Sequence, residues 1–237
     1  MDLPPQPPPD APAPLPGPEA IRSRRIMKRI IVVGMLCTAG VLVVKFGSRG
    51  FFKKADANGM QALVNAKQVF IALLDFNNDY GKFPEASTMA AVKTATGTTL
   101  PLGASSSNEL FRQLIAAGHK SEQPFWAKST HTPLPPDNII SGRHALEKGE
   151  CSFAYVAGLV PASTPDKPFL FAPMDPVTKC FERRRDYREC AVIVFVGGSA
   201  IFLPIDKHGQ VEIGGMNLFD PRQPFWKGKA PDIKWPE

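Results

Sequence analysis

The sequence lacks the residue patterns on which most hydrolases and metalloproteins depend. Its four histidines are scattered, and neither His-Glu-x-x-His nor Cys-x-x-Cys occurs, so no metal site is predicted. A Gly-x-Ser-x-Gly turn and a glycine-rich phosphate-binding loop are also missing. We therefore expect neither catalytic residues nor a cofactor, and we expect a protein that is not an enzyme.

Cysteine is scarce, with four residues in 237, and one of them, Cys37, lies inside an apolar run. The other three, Cys151, Cys180 and Cys190, can form at most one intramolecular pair. A disulfide between Cys180 and Cys190 would close a loop of about eleven residues and stabilise the fold by up to about 3 kcal/mol in an oxidising compartment. Cys151 could compete for either partner. Cys180 and Cys190 therefore form a possible disulfide, and the pairing stays open.

A concentrated positive charge is also missing, although the net charge is +6. The basic residues between 179 and 188 alternate with acidic ones, which is typical of a solvated surface. Those between 22 and 29 directly precede an apolar run, where a membrane explains them better than nucleic acid does. We expect no nucleic-acid partner.

One apolar run is long enough to suggest a membrane helix. Ile30 to Val44 carry no charge, and because Lys45 can extend its ammonium group to the interface, the span reaches Phe46. Seventeen helical residues are about 25 Å long, near the lower limit for crossing a bilayer. A cleaved signal peptide, a lipoprotein anchor at Cys37 and a buried core helix are alternatives. The sequence favours an uncleaved single span at Ile30–Phe46.

The flanking charges set the expected orientation. Lys and Arg are slightly more abundant before the run than after it, which favours a cytoplasmic amino terminus. Residues 1–29 then form a cytoplasmic tail, proline-rich at first and basic afterwards, since nine prolines lie between Pro4 and Pro18. Residues 47–237 form a domain on the opposite side of the membrane.

Helical periodicity dominates the first part of that domain. Apolar residues recur every three or four positions from Ala55 to Tyr80, and Gly81 is a plausible left-handed stop. The spacing of Ser106 and Glu109 is that of a capping box and predicts a second helix. A short helix over 88–94 is also expected.

Strand signals dominate the second part. Four segments are rich in β-branched and aromatic residues: Ser152–Leu159, Pro168–Ala172, Cys190–Val196 and Ala200–Ile205. Gly197-Gly198-Ser199 joins the last two as a hairpin turn, and Val211–Ile213 forms a further short strand. Helices followed by strands predict an α+β fold with an antiparallel sheet.

The end of the first helix resembles a known family. Its residues spell N-A-K-Q-x3-A-x3-F-x2-D-x-G-x-F-P, at Asn65-Ala66-Lys67-Gln68, Ala72, Phe76, Asp79, Gly81, Phe83 and Pro84. This pattern is similar to that of type II secretion pseudopilins and type IV pilin-like proteins of bacteria. Residues 192–204 also look like that family's closing hairpin. The standard prepilin processing site does not occur between Gly17 and Val44.

The resemblance implies a fold and a role. The fold would be pilin-like, with a long amino-terminal helix, membrane-spanning and then soluble, packed on a carboxy-terminal antiparallel sheet. The role would be that of a relative anchored in the bacterial inner membrane, which kept residues 47–237 as a periplasmic α+β head and lost the processing signal. Its partners would be secretion or pilus machinery proteins or further copies of itself, besides the lipid bilayer at Ile30–Phe46.

A repeated tetrapeptide suggests an alternative role. Gln-Pro-Phe-Trp occurs twice, so that Phe125 and Trp126 recur as Phe225 and Trp226. Exposed aromatic loops could bind a partner, which would fit a membrane-tethered envelope binding or adhesion module unconnected with secretion. The other interpretation, which we favour, is that both tryptophans close the edges of the core.

Overall fold

The computed structural model describes residues 57–162 and 164–237. The predicted tail at 1–29 and the predicted span at Ile30–Phe46 lie outside these residues. Within the described part of the chain, no helix combines the length and the apolar character needed to cross a bilayer.

The first described helix, α1, runs from Ala57 to Tyr80. Its buried side chains include Ala62, Ala66, Val69 and Leu73, three or four positions apart, so one face of the helix is apolar. The helix ends as predicted, because Gly81 takes a left-handed φ of 78° and its N–H donates to the carbonyl of Asn77 at 2.7 Å.

Two shorter helices follow, α2 at Met89–Thr96 and α3 at Ser107–Ala116. Ser106 caps α3 as expected, since its hydroxyl accepts a hydrogen bond from the backbone N–H of Glu109 at 3.2 Å. The second half of the expected capping box differs. The Glu109 carboxylate accepts from the backbone N–H of Ser105 at 2.8 Å, one residue before the cap.

The strands of the described residues are β1 Ala154–Val156, β2 Pro168–Ala172, β3 Cys190–Phe195, β4 Ala200–Pro204, β5 Glu212–Ile213, β6 Met216–Asn217 and β7 Ile233–Lys234. Antiparallel pairing joins them, and five form one sheet in the order β4-β3-β2-β1-β7. A separate hairpin is formed by β5 and β6. The four longer predicted strands are present, the short one predicted at Val211–Ile213 is β5, and β6 and β7, each two residues long, are additions.

Helix α1 packs on the sheet near β3 and β4. Aromatic rings fill the space between helix and sheet, where Phe169 of β2 meets Phe70 edge-on at 6.0 Å and stacks on Phe83 at 5.6 Å between ring centroids. The predicted fold class, α+β with an antiparallel sheet, is confirmed.

Candidate acidic site and aromatic turns

The connection from α3 to β1 carries the most unusual group of polar side chains among the described residues. Its only regular structure is two short 3-10 turns, at Gln123–Phe125 and Gly142–His144. Long connections of this kind are often functional. Three acidic residues far apart in this connection, Glu122, Asp137 and Glu150, each place one carboxylate oxygen within 4.8 Å of the others.

Glu122 is the buried member of this acidic cluster. Its residue exposure is 0%, and its Oε1 accepts a hydrogen bond from the backbone N–H of Leu146 at 2.6 Å. Its Oε2 is buried as well and has no hydrogen-bond partner among the described residues. A buried carboxylate oxygen without a partner is unfavourable, so this atom needs a physical explanation.

The other two carboxylates are tied to the backbone of the same connection. Glu150 accepts from the N–H of Asp137 at 3.2 Å and from the N–H of Glu147 at 2.6 Å. The Asp137 carboxylate accepts from the N–H of Ile139 at 2.8 Å. Glu150 is half-buried and Asp137 is exposed, so the cluster extends from the interior to solvent.

All three side chains of the cluster are acidic. Burial raises the pKa of Glu122, and the negative charges of Glu150 and Asp137 raise that pKa further. Among the described residues, no lysine or arginine forms a salt bridge with any of the three. The arrangement therefore favours either a bound proton or a bound cation.

A separate open cleft of about 520 Å³ lies beside this connection and is lined by His131, Lys148, Gly149, Pro176, Val177, Pro236 and Glu237. Nε2 of His131 lies 3.1 Å from Oδ1 of Asp175. None of the lining residues just named carries a hydroxyl or thiol. The His131–Asp175 pair consequently has no hydroxyl or thiol to activate among these lining residues.

The repeated aromatic residues lie mainly in the interior. Phe125 is fully buried, Trp126 is 7% exposed and Trp226 is 4% exposed, whereas Phe225 is half-buried. Buried rings offer little surface to a partner. The burial of Trp126 and Trp226 thus favours the core interpretation of the two tryptophans over a partner-binding platform.

Both copies of the repeat fold into the same kind of turn. The N–H of Trp126 donates to the carbonyl of Gln123 at 3.2 Å, and that of Trp226 donates to Gln223 at 2.9 Å. Each indole N–H then donates to a backbone carbonyl, at 3.0 Å in the first copy and 2.7 Å in the second. The repeat in the sequence therefore marks two aromatic turns that anchor loops to the core.

The three described cysteines are free thiols in the structure, which differs from the possible Cys180–Cys190 disulfide. The thiols of Cys180 and Cys190 each donate to the carbonyl two residues before them, that of Thr178 at 3.5 Å and that of Arg188 at 3.4 Å. Cys151 is buried, and burial raises the pKa of its thiol to about 12.

Comparison of the chain with protein-family models, curated proteins and solved structures returns no match. The resemblance to pseudopilins therefore depends only on the residues quoted for it. The positions of those residues in the fold are consequently the ground for a functional proposal.

Proposed function

We propose that this chain is a non-enzymatic, single-pass membrane protein of the bacterial inner membrane, pseudopilin-like and associated with a type II secretion or type IV pilus-like system. One observation carries the proposal. Several residues of the pseudopilin-like pattern help to attach α1 to the rest of the domain, and others turn the chain away from the helix.

The first half of the pattern attaches the helix. The side-chain amide of Asn65 donates to the carbonyls of Gln123 at 3.1 Å and Trp126 at 2.7 Å. Ala66, the next residue, is fully buried, and its small side chain permits close approach of the helix. Lys67 and Gln68 lie exposed on the opposite face. This division of roles supports the pilin-like interpretation of the motif.

The second half ends the helix and returns the chain to the sheet. Phe76 and Phe83 are buried in the core on either side of the left-handed Gly81. The carbonyl of Pro84 then accepts a hydrogen bond from the hydroxyl of Tyr155 in β1 at 3.1 Å. A helix joined in this way to an antiparallel sheet supports a head carried on an amino-terminal stalk.

The anchor part of the proposal comes from the sequence. The apolar run Ile30–Phe46 precedes α1, so the chain would pass from lipid into the stalk and then into a periplasmic head. The amino terminus would be cytoplasmic. Without the standard processing site, the protein would keep its anchor and contact the machinery, or other copies of itself, from the side.

Crosslinking in native membranes tests the proposal. Immunoprecipitation of the full-length chain should recover secretion or pilus components from the membrane fraction. The control is Ala39→Arg, which puts a charge at the centre of the run, disfavours insertion by about 2.5–3.5 kcal/mol and should lose both the membrane association and the partners. Repeated absence of such components from the wild-type sample would refute the association.

The alternative role, an envelope binding or adhesion module, has no observation in its favour now that Phe125, Trp126 and Trp226 are found buried. A glycan and envelope-protein binding screen with residues 47–237 separates the two roles. Specific glycan binding without recovery of machinery proteins would favour the alternative.

A further inference from the structure

We propose that Glu122, Asp137 and Glu150 bind a divalent cation of the size of Ca²⁺, which holds together the connection between α3 and β1. This inference is independent of the proposed function, since it depends only on the geometry and chemistry of the acidic cluster. It assigns a ligand to residues for which the sequence predicted no metal site.

The buried oxygen of Glu122 is the observation that points to a ligand. Its carboxylate is directed toward Asp137 and Glu150, because one oxygen from each of the three lies within 4.8 Å of the others. Oε1 is satisfied by Leu146, but Oε2 is buried with no partner among the described residues. A cation between the three carboxylates would supply the missing partner and neutralise the charges that repel one another.

The donor atoms select the kind of cation. All three donor atoms are carboxylate oxygens, which suit hard ions such as Ca²⁺ and Mg²⁺. Structural zinc sites use Cys and His ligands instead. Two Ca²⁺–oxygen bonds of about 2.3–2.6 Å span up to about 5 Å, whereas two Mg²⁺–oxygen bonds span only about 4 Å. Separations within 4.8 Å admit calcium, and a set of protein carboxylates suits calcium better than Mg²⁺, which usually keeps several waters and few carboxylate ligands.

Solvent access completes the site. Asp137 is exposed, so an ion can enter from its side. Calcium usually takes about six to eight oxygen ligands, and waters can fill the positions that the three carboxylates leave open. No large rearrangement is required, because Glu122 and Glu150 are already held by backbone N–H groups at 2.6 Å. Preorganised ligands reduce the entropy lost on binding.

The ion would stabilise the surface on which α1 docks. Glu122 directly precedes the turn at Gln123–Phe125, and the carbonyls of Gln123 and Trp126 are those that bind Asn65. In the folded state the ion would link this point to two distant points of the same connection. Binding to the folded state alone raises the unfolding temperature.

Calcium titration of the full-length chain in detergent, after treatment with EDTA, tests the proposal. At a Ca²⁺ concentration 100 times Kd, we expect the unfolding temperature to rise by about 5–10 °C. Mg²⁺ at the same concentration should give a smaller rise. Calorimetric titration should give one site for each chain, and Asp137→Asn should weaken calcium binding at least about tenfold, since ligand charge sets calcium affinity.

Glu147→Gln is the matched control, because this nearby exposed carboxylate lies outside the cluster and its backbone N–H still serves Glu150. It should bind calcium like the wild type. Since Asp137 is exposed, its substitution leaves the core intact. The proposal would be overturned if calcium gave no heat of binding and no rise in the unfolding temperature, or if both variants lost calcium affinity equally. An equal rise in the unfolding temperature with Mg²⁺ would also overturn it. Stabilisation by mild acid with no response to calcium would assign the site to a shared proton instead.

Discussion

The side-chain amide of Asn65 donates a hydrogen bond to the backbone carbonyl of Trp126 at 2.7 Å, across 61 residues of sequence. This bond joins two features that look unrelated in the sequence, the pseudopilin-like pattern on α1 and the first Gln-Pro-Phe-Trp repeat. The aromatic turn thus serves as the dock for the helix. Both motifs can then be understood through one structural role.

Removing this amide should loosen the helix from its dock. Asn65→Ala leaves two backbone carbonyls without their partner, and Asn65 is only 8% exposed, so we expect the free energy of unfolding to fall by about 1–3 kcal/mol. Denaturant titration measures this. Gln68→Ala, on the exposed face of the same helix, should stay within about 0.5 kcal/mol of the wild type. Equal effects of the two variants would contradict the docking role.

The second aromatic turn should behave as part of the core. Trp226→Ala removes a ring that is 4% exposed and should lower the free energy of unfolding by about 3–5 kcal/mol. Trp226→Phe keeps part of the volume but loses the indole N–H bond to Leu218, so its loss should be smaller. Thermal unfolding ranks the three proteins. An unchanged stability of Trp226→Ala, together with a lost binding activity, would instead support an exposed platform.

The hairpin turn between β3 and β4 touches α1 through a glycine. Gly198 has a φ of 85°, and a methyl group there would lie 2.9 Å from Cε1 of Phe70. Gly198→Ala should therefore destabilise the fold by about 1–3 kcal/mol more than Gly215→Ala, because overpacking adds to the backbone strain. Gly215 has a similar φ of 75° with nothing within 4 Å, so it measures the strain alone. Equal losses would mean that the turn does not press on the helix.

The thiols should differ in reactivity. Cys151 is buried with a raised thiol pKa of about 12, whereas Cys180 and Cys190 are partly exposed. Iodoacetamide added to the native, unreduced protein should modify Cys180 and Cys190, and Cys151 only after unfolding. Peptide mapping by mass spectrometry reads out all three positions. A linked Cys180–Cys190 peptide would instead establish the disulfide that the sequence suggested.

The half-buried His119 should make the fold sensitive to mild acid. Burial lowers the pKa of His119 below its ordinary value of 6.5, although Asp75 and the backbone at Ser121 oppose the shift. The unfolded chain therefore binds this proton more readily, and stability should fall as the pH drops below about 6.5. The free energy of unfolding, measured from pH 7.5 to 5.5, should fall less steeply for His119→Gln than for the wild type. Identical slopes for the two proteins would show that folding does not lower the pKa of His119.

The sequence alone determined the helices, the four longer strands and the class of the fold. Helix α1 follows from apolar residues three and four positions apart, its end follows from Gly81, and the β3–β4 hairpin follows from Gly197-Gly198-Ser199. These signals are local, because they depend on backbone geometry over a few residues. The turn chemistry of glycine needs no knowledge of the rest of the chain.

Only the tertiary structure decided the acidic cluster and the fate of the aromatic repeats. Glu122, Asp137 and Glu150 have no common spacing, and a connection with little regular structure brings them together. Likewise, whether Trp126 and Trp226 face solvent or core depends on carbonyl groups that lie outside the repeat. Such contacts depend on how a whole connection folds, and no periodicity of 2 or about 3.6 residues encodes that path.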